Sequence, residues 1–228
     1  MRIAKVIPVL IIAAAAGCGS ETVTACCQNG QASLRVVNAF TGPVDVYIDG
    51  NLAIGSLAAG SIGTAAPASG GHTLVLRPTG SGASSSQSIT TSDGTLGTIA
   101  AVRSSSGAVS SVSLDDTGSV VPNGATKVRV IHFAPNAGTL QVYRTQPDYH
   151  TPISWQFPFT YQAEPTSLSA PFYQSTVGSW EIRIWQTPAD SSGWANAPVK
   201  VVIPLTSGQK KTVVILDQAG GGVRVELL

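Results

Sequence analysis

Segments of this 228-residue chain return further along it in the same order. Leu34-Arg35-Val36-Val37-Asn38-Ala39 comes back as Val128-Arg129-Val130-Ile131-His132-Phe133, and Val44-Asp45-Val46-Tyr47 as Leu140-Gln141-Val142-Tyr143, with a longer intervening loop in the second copy. His72-Thr73-Leu74-Val75-Leu76 matches Trp180-Glu181-Ile182-Arg183-Ile184, and Thr98-Ile99-Ala100-Ala101-Val102 matches Thr212-Val213-Val214-Ile215-Leu216. Each copy closes on a Gly-led apolar stretch, Gly107–Leu114 and Gly222–Leu228. Matches in one order at so long a spacing describe a duplicated domain rather than a short-period solenoid.

The repeated segments read as strands. They alternate or cluster β-branched and apolar residues over strand-length windows, and Gly, Pro, Ser and Thr punctuate the chain between them. Ile48-Asp49-Gly50-Asn51 carries the Asp-Gly signal of a tight hairpin, because Gly accepts positive φ at little cost. Strands at this spacing describe a sandwich or barrel, and helix-period stretches are absent after the N-terminus. The copies predict a first domain over residues 31–116 and a second over 126–228, joined by a Pro/Gly/Asn-containing linker at 117–125.

The N-terminus reads as an address. Arg2 and Lys5 precede an apolar run, Val6–Ala16, which is interrupted by Pro8 and is shorter than the roughly 20 residues of a bilayer-spanning helix. Residues 1–17 therefore predict a cleaved export signal. Ala15-Ala16-Gly17-Cys18 resembles the lipobox of bacterial lipoproteins, with Ala15 where Leu is usual. That resemblance implies diacylglycerol on the Cys18 thiol, a further acyl chain on its freed amine, and partnership with a membrane through the lipid. Gly19 in the next position fits transfer to the outer membrane, since retention signals place Asp there. Two or more acyl chains hold a protein stably on a bilayer, where one does so marginally. Residues 18–30 then form the lipidated Cys and a short tether. Cys26 and Cys27 lie within it, either bonded to each other under strain or linking to another chain, because adjacent Cα atoms stand about 3.8 Å apart against the usual disulfide range of about 4.4–6.8 Å.

Val128–Tyr143, with its core Arg129-Val130-Ile131-His132-Phe133-Ala134-Pro135-Asn136-Ala137, resembles the opening of the bacterial surface family catalogued as domain of unknown function 4397. That opening typically reads Arg-Val-x-His-Ala-Ser-Pro-Asp-Ala-Pro-x-Val-Asp-Val-Tyr-Val-Asp-Gly. The first copy keeps its Val-Asp-Val-Tyr-Ile-Asp-Gly ending at Val44–Gly50 and has Asn38 where the second has His132. The resemblance implies tandem β-sandwich domains on exported or lipid-anchored proteins and brings no catalytic residues with it. Strand spacing and resemblance together predict an all-β fold of two tandem antiparallel β-sandwiches, immunoglobulin-like or transthyretin-like.

The balance of 13 Lys+Arg against 12 Asp+Glu, in a chain only 11% charged, argues against nucleic-acid binding, which rests on neutralising phosphates. No Gly-x-Ser-x-Gly elbow, His-Glu-x-x-His or phosphate-cradling Gly loop occurs, and no cofactor or metal is expected. His132 follows a strand and is expected to hydrogen-bond its own loop. Asp115-Asp116 reads as a solvated strand end. A hydrolase assembled from distant loops would draw on His132, Asp148, His150 and Glu164. The reading favoured by the sequence is non-enzymatic: a structural or binding role toward a protein or glycan. Phe, Tyr and Trp are unevenly placed, with only Phe40 and Tyr47 before the second copy. Tyr149, Trp155, Phe157, Phe159, Tyr161 and Trp194 are the candidate binding surface, since exposed rings stack on sugars or anchor partners. The same rings could instead fill the second domain's core.

Overall fold

The computed structural model describes residues 31–104, 106–116, 120–147, 153–159, 167–168, 172–186, 197–218 and 221–228, with backbone only for 153–159, 167–168 and 186. Residues 1–30, with Cys18, Cys26 and Cys27, lie outside that set, as do Asp148, Tyr149, His150, Tyr161, Glu164 and Trp194. The described chain is all-β, with a single 3-10 turn at Pro135–Ala137. Among the described residues no helix is long and apolar enough to cross a membrane.

In the first half, β1 (Ser33–Asn38), β4 (Ile62–Ala65), β7 (Leu96–Arg103) and β8 (Val109–Leu114) form a sheet in the order β4-β1-β7-β8. It faces a second sheet of β2 (Val44–Ile48), β3 (Asn51–Leu57), β5 (Gly70–Pro78) and β6 (Ser85–Thr91), in the order β3-β2-β5-β6. The second half repeats both orders. β9 (Ala125–Phe133), β13 (Tyr173–Thr176), β16 (Lys210–Asp217) and β17 (Val223–Leu227) run β13-β9-β16-β17. β10 (Leu140–Thr145), β11 (Ile153–Phe159), β14 (Gly178–Gln186) and β15 (Val199–Leu205) run β11-β10-β14-β15. The hairpin at Asp49-Gly50 forms as its sequence requires. Ile48 pairs with Asn51, and both turn residues take positive φ, 51° and 81°, the type I′ geometry whose twist matches the strands it joins.

One expectation is corrected: the outer sheets β3-β2-β5-β6 and β11-β10-β14-β15 are purely antiparallel, but the two middle sheets are mixed. β1 pairs parallel with β7, Val36 opposite Ile99, and β9 pairs parallel with β16, Val130 opposite Val213. A parallel pair needs a long crossover between its strands, and here the facing sheet itself lies within that crossover.

Period-two alternation in these central strands feeds two different cores. Leu34, Val36, Ile99 and Ala101 point toward the facing sheet of the first half, where they meet Val44, Val46, Leu74 and Leu76. Their neighbours Val37, Ala39, Ala100 and Val102 point the other way and pack on Ile131, Phe133, Val214 and Leu216 of the second half. Val128, Val130, Val213 and Ile215 turn from that interface to the second half's own core, against Leu140, Ile182 and Ile203. The result is four stacked sheets with three apolar seams, and the two middle sheets are buried on both faces. Such strands read as unbroken apolar runs, as in Val213-Val214-Ile215-Leu216. Each fully buried aliphatic or Phe side chain contributes about 1.5–3 kcal/mol, so the middle seam is a substantial part of the stability. The chain also crosses the seam: β12 (Ser167–Leu168), from the long second-half insertion, pairs parallel with β8 of the first half.

Candidate functional site

The middle seam has a charged end and an open end. At the charged end, the repeat places Arg35 and Arg129 at equivalent positions of β1 and β9, and Thr98 and Thr212 at equivalent positions of β7 and β16. Each arginine donates its Nε–H to the threonine hydroxyl of its neighbouring strand, at 3.2 Å in the first half and 2.9 Å in the second. Arg129, whose side chain is 0% exposed, ion-pairs through Nη2 with Asp116 Oδ1 and donates from Nη1 to the Asp115 carbonyl at 2.6 Å. Arg35 Nη2 lies 4.0 Å from the other Asp116 oxygen. Asp116 is thus not a solvated strand end: one carboxylate from the first half joins two arginines across the seam. Burial pulls both guanidinium pKa values down, opposed by the Asp116 charge. The Phe172 ring covers Arg129 with its centroid 4.4 Å from the guanidinium carbon, within cation–π range.

At the other end, where β1 and β9 run out, Asn38 and His132 do the same work in the two halves. Asn38 Oδ1 accepts from the Phe40 amide at 3.0 Å while its Nδ2 donates to the Gly42 carbonyl at 2.9 Å and the Leu57 carbonyl at 2.7 Å. His132 Nδ1 accepts from the Ala134 amide at 3.1 Å, and its Nε2 reaches the Gly138 carbonyl at 2.8 Å. The larger imidazole spans the longer loop of the second copy. This arrangement fixes the neutral Nε2–H tautomer, and burial pushes the His132 pKa below its ordinary value. Both ring nitrogens are therefore committed to the loop, as its sequence position suggests, and neither is left to act as a general base.

Replacing His132 by Ala is expected to cost about 1–3 kcal/mol, since buried backbone groups lose their partners. The sign with pH follows from the lowered pKa. The unfolded chain takes up the proton first, so the His132 contribution is complete above about pH 6.5 and is lost as pH falls below that value. His72 works in the opposite sense: it hydrogen-bonds Asp49 at 2.7 Å, which raises its pKa, so its contribution holds below about pH 6.5 and is lost as pH rises through the folded value. Urea midpoints measured from pH 5 to 8 should flatten on the acid side in the His132→Asn protein.

Between these two loops the open end of the seam widens into a cleft of about 480 Å³. The first half supplies the Asn38–Thr41 loop and the Ala59-Gly60 turn, and the second supplies Asn136, Asp217, Gln218 and Arg224. Asn136 donates its side-chain amide to Asp217 Oδ2 at 2.9 Å and its backbone N–H to Oδ1 at 3.3 Å. Burial nevertheless raises the Asp217 pKa. Gly60 has φ +72°, and a Cβ there would overlap the Arg224 guanidinium, so the absence of a side chain lets an arginine of the second half lie flat on a turn of the first. Arg224 Nη1 pairs with Glu226 at 3.5 Å, whereas its Nη2 is buried without a hydrogen-bond acceptor among the described residues. Sequence reading missed this cleft because its residues come from five separate segments and match no motif.

The aromatic surface expected from the sequence is only partly within view. Trp155, Phe157 and Phe159 lie on β11, the edge strand beside β10, while Tyr149, Tyr161 and Trp194 fall outside the described residues. Trp180 and Trp185 are buried, Phe133 fills the middle seam, and no described ring is fully exposed. Of the hydrolase candidates only His132 can be placed. Among the described residues no three His, Cys, Asp or Glu side chains are grouped to hold a metal ion.

The family model of the domain of unknown function DUF4397 matches residues 32–143. That stretch takes in β1 to β8 and continues through β9 into β10, so it reaches from the first half across the seam into the second. No curated protein matches the sequence. Among solved structures, the chain is similar to a product complex of SpuA, a multi-modular glycogen-degrading pneumococcal virulence factor, at 9% identity and a TM-score of 0.26. The likeness covers 80% of this chain and 20% of that one, so this chain spans about a fifth of its length.

Proposed function

With a DUF4397 match running from β1 into β10 as the premise, we propose that this is a lipid-anchored cell-envelope protein, on the outer membrane, that serves a structural or binding role and performs no catalysis. Two duplicated β-sandwich units, joined face to face, make up the exported part, and acyl chains on Cys18 hold it at the membrane. The observation that supports a non-catalytic role is where the polar chemistry goes. Asn38, His132, Arg35, Arg129 and Asp116 are each engaged in tying loops or halves together. The candidate sites for a partner, protein or glycan, are the cleft at the open end of the seam and the rings that the sequence singles out, Tyr149, Trp155, Phe157, Phe159, Tyr161 and Trp194.

The anchor is tested by expressing the chain in bacteria with radiolabelled palmitate. The full-length protein should take up label and partition with envelope membranes, and the Cys18→Ala form should take up none. Label on the Cys18→Ala form, or a soluble unlabelled parent, would remove the anchor from the proposal.

A further inference from the structure

We infer that the cleft between the halves binds carbohydrate, one or two sugar rings held edge-on between the Phe40 loop and a wall of Asp217, Gln218 and Arg224. This deepens the binding role proposed above and rests on it. The lining has the composition that sugar recognition requires. A pyranose offers an apolar C–H face and a fan of hydroxyl groups that both donate and accept. Phe40 packs one side against the first half's core, and its remaining surface lines the cleft. Opposite it stand a carboxylate (Asp217), two amides (Asn136 and Gln218) and a guanidinium (Arg224).

Neighbouring hydroxyls of a sugar match this set in kind: one donates to a carboxylate oxygen while the next accepts from an amide or guanidinium. Arg224 Nη2 is the most specific feature. That donor is enclosed against Gly60 with no acceptor among the described residues, and a sugar oxygen would satisfy it once the guanidinium lifts off the turn. A volume of about 480 Å³ lies in the range of small-ligand sites.

Other ligand classes fit less well. A phosphate or nucleotide would meet the Asp217 carboxylate, with Glu226 already paired to the nearby arginine. A lipid or apolar peptide would offer no acceptor to Arg224 Nη2.

The test is titration calorimetry on the full chain in detergent with maltotriose, cellotriose and the N-acetylglucosamine trimer. At least one should bind saturably. Phe40→Ala and Arg224→Ala should each weaken binding at least tenfold, and Val202→Ser, at an exposed position of β15 away from the cleft, should leave it unchanged. Because Phe40 also touches the core, Ala59→Trp on the exposed rim provides a variant that fills the cleft without disturbing packing, and it should abolish binding. No saturable binding of any of the three sugars, or binding that survives both Arg224→Ala and Ala59→Trp, would overturn the assignment. Binding lost in Trp155→Ala but kept in Ala59→Trp would move the sugar to the insertion and overturn the cleft alone. Palmitate labelling of Cys18 is read independently, so failure of the anchor and failure of the sugar site are distinguishable.

Discussion

Asp116→Ala should lower the stability of this protein by about 3 kcal/mol, the lower end of the cost of leaving a buried charge without its partner. Arg129 is fully enclosed, and Asp116 is its ion-pair partner. The Asp115 charge also favours the Arg129 guanidinium and softens the loss, which is why the lower end applies. Arg35 would lose the same counter-charge and be left facing Arg129, whose own charge already pulls its pKa down. Removing the buried charge as well should recover most of the loss, so Asp116→Ala/Arg129→Met should be more stable than Asp116→Ala alone. Urea unfolding of the two variants and the parent, at one pH and ionic strength, reads both effects. A double variant no more stable than the single would mean that the ion pair is not what holds this end of the seam.

Phe133→Ala should cost about 3–5 kcal/mol, the usual penalty for emptying a ring-sized site in a closed core. The ring is 2% exposed and belongs to the seam between the halves, not to the interior of either sandwich. The loss should therefore have a location. Hydrogen exchange should accelerate first in β1, β7, β9 and β16, whose shared face is the one loosened. Ile203→Ala, a deletion in the second half's own core, should instead loosen β14 and β15 first. Identical exchange patterns for the two variants would show that the four sheets open as one unit.

Much of this could be read from residue order, and the rest could not for definite reasons. The repeated segments mark the strands because their alternation is local, and Asp49-Gly50 specifies its turn because both residues must take positive φ. His132 could be assigned to its own loop for the same reason: its partners, Ala134 and Gly138, lie within a few residues. The parallel pairing of β1 with β7 left no local trace, since it joins segments separated by an entire sheet. Arg35 and Arg129 are enclosed only by the stacking of the middle sheets, which no local pattern reveals. The insertion illustrates the same limit. Its aromatic content pointed to one surface, yet its strands are shared among three sheets, with β11, β12 and β13 each at an edge of a different one. The cleft was illegible because amides, a carboxylate and an arginine become a site only when the loops of two halves converge.

The position of the first strand bears on how the protein carries load. Under the proposed lipid anchor, the pull of the membrane would reach the fold at Ser33, and β1 is held on one side by β4 and on the other by β7. Tension applied along that strand acts on both rows of hydrogen bonds together, in shear, so they must fail collectively; an edge strand pulled sideways would unzip one bond at a time. A chain fastened by its N-terminus and pulled by a captured partner would thus meet the force with its most resistant element.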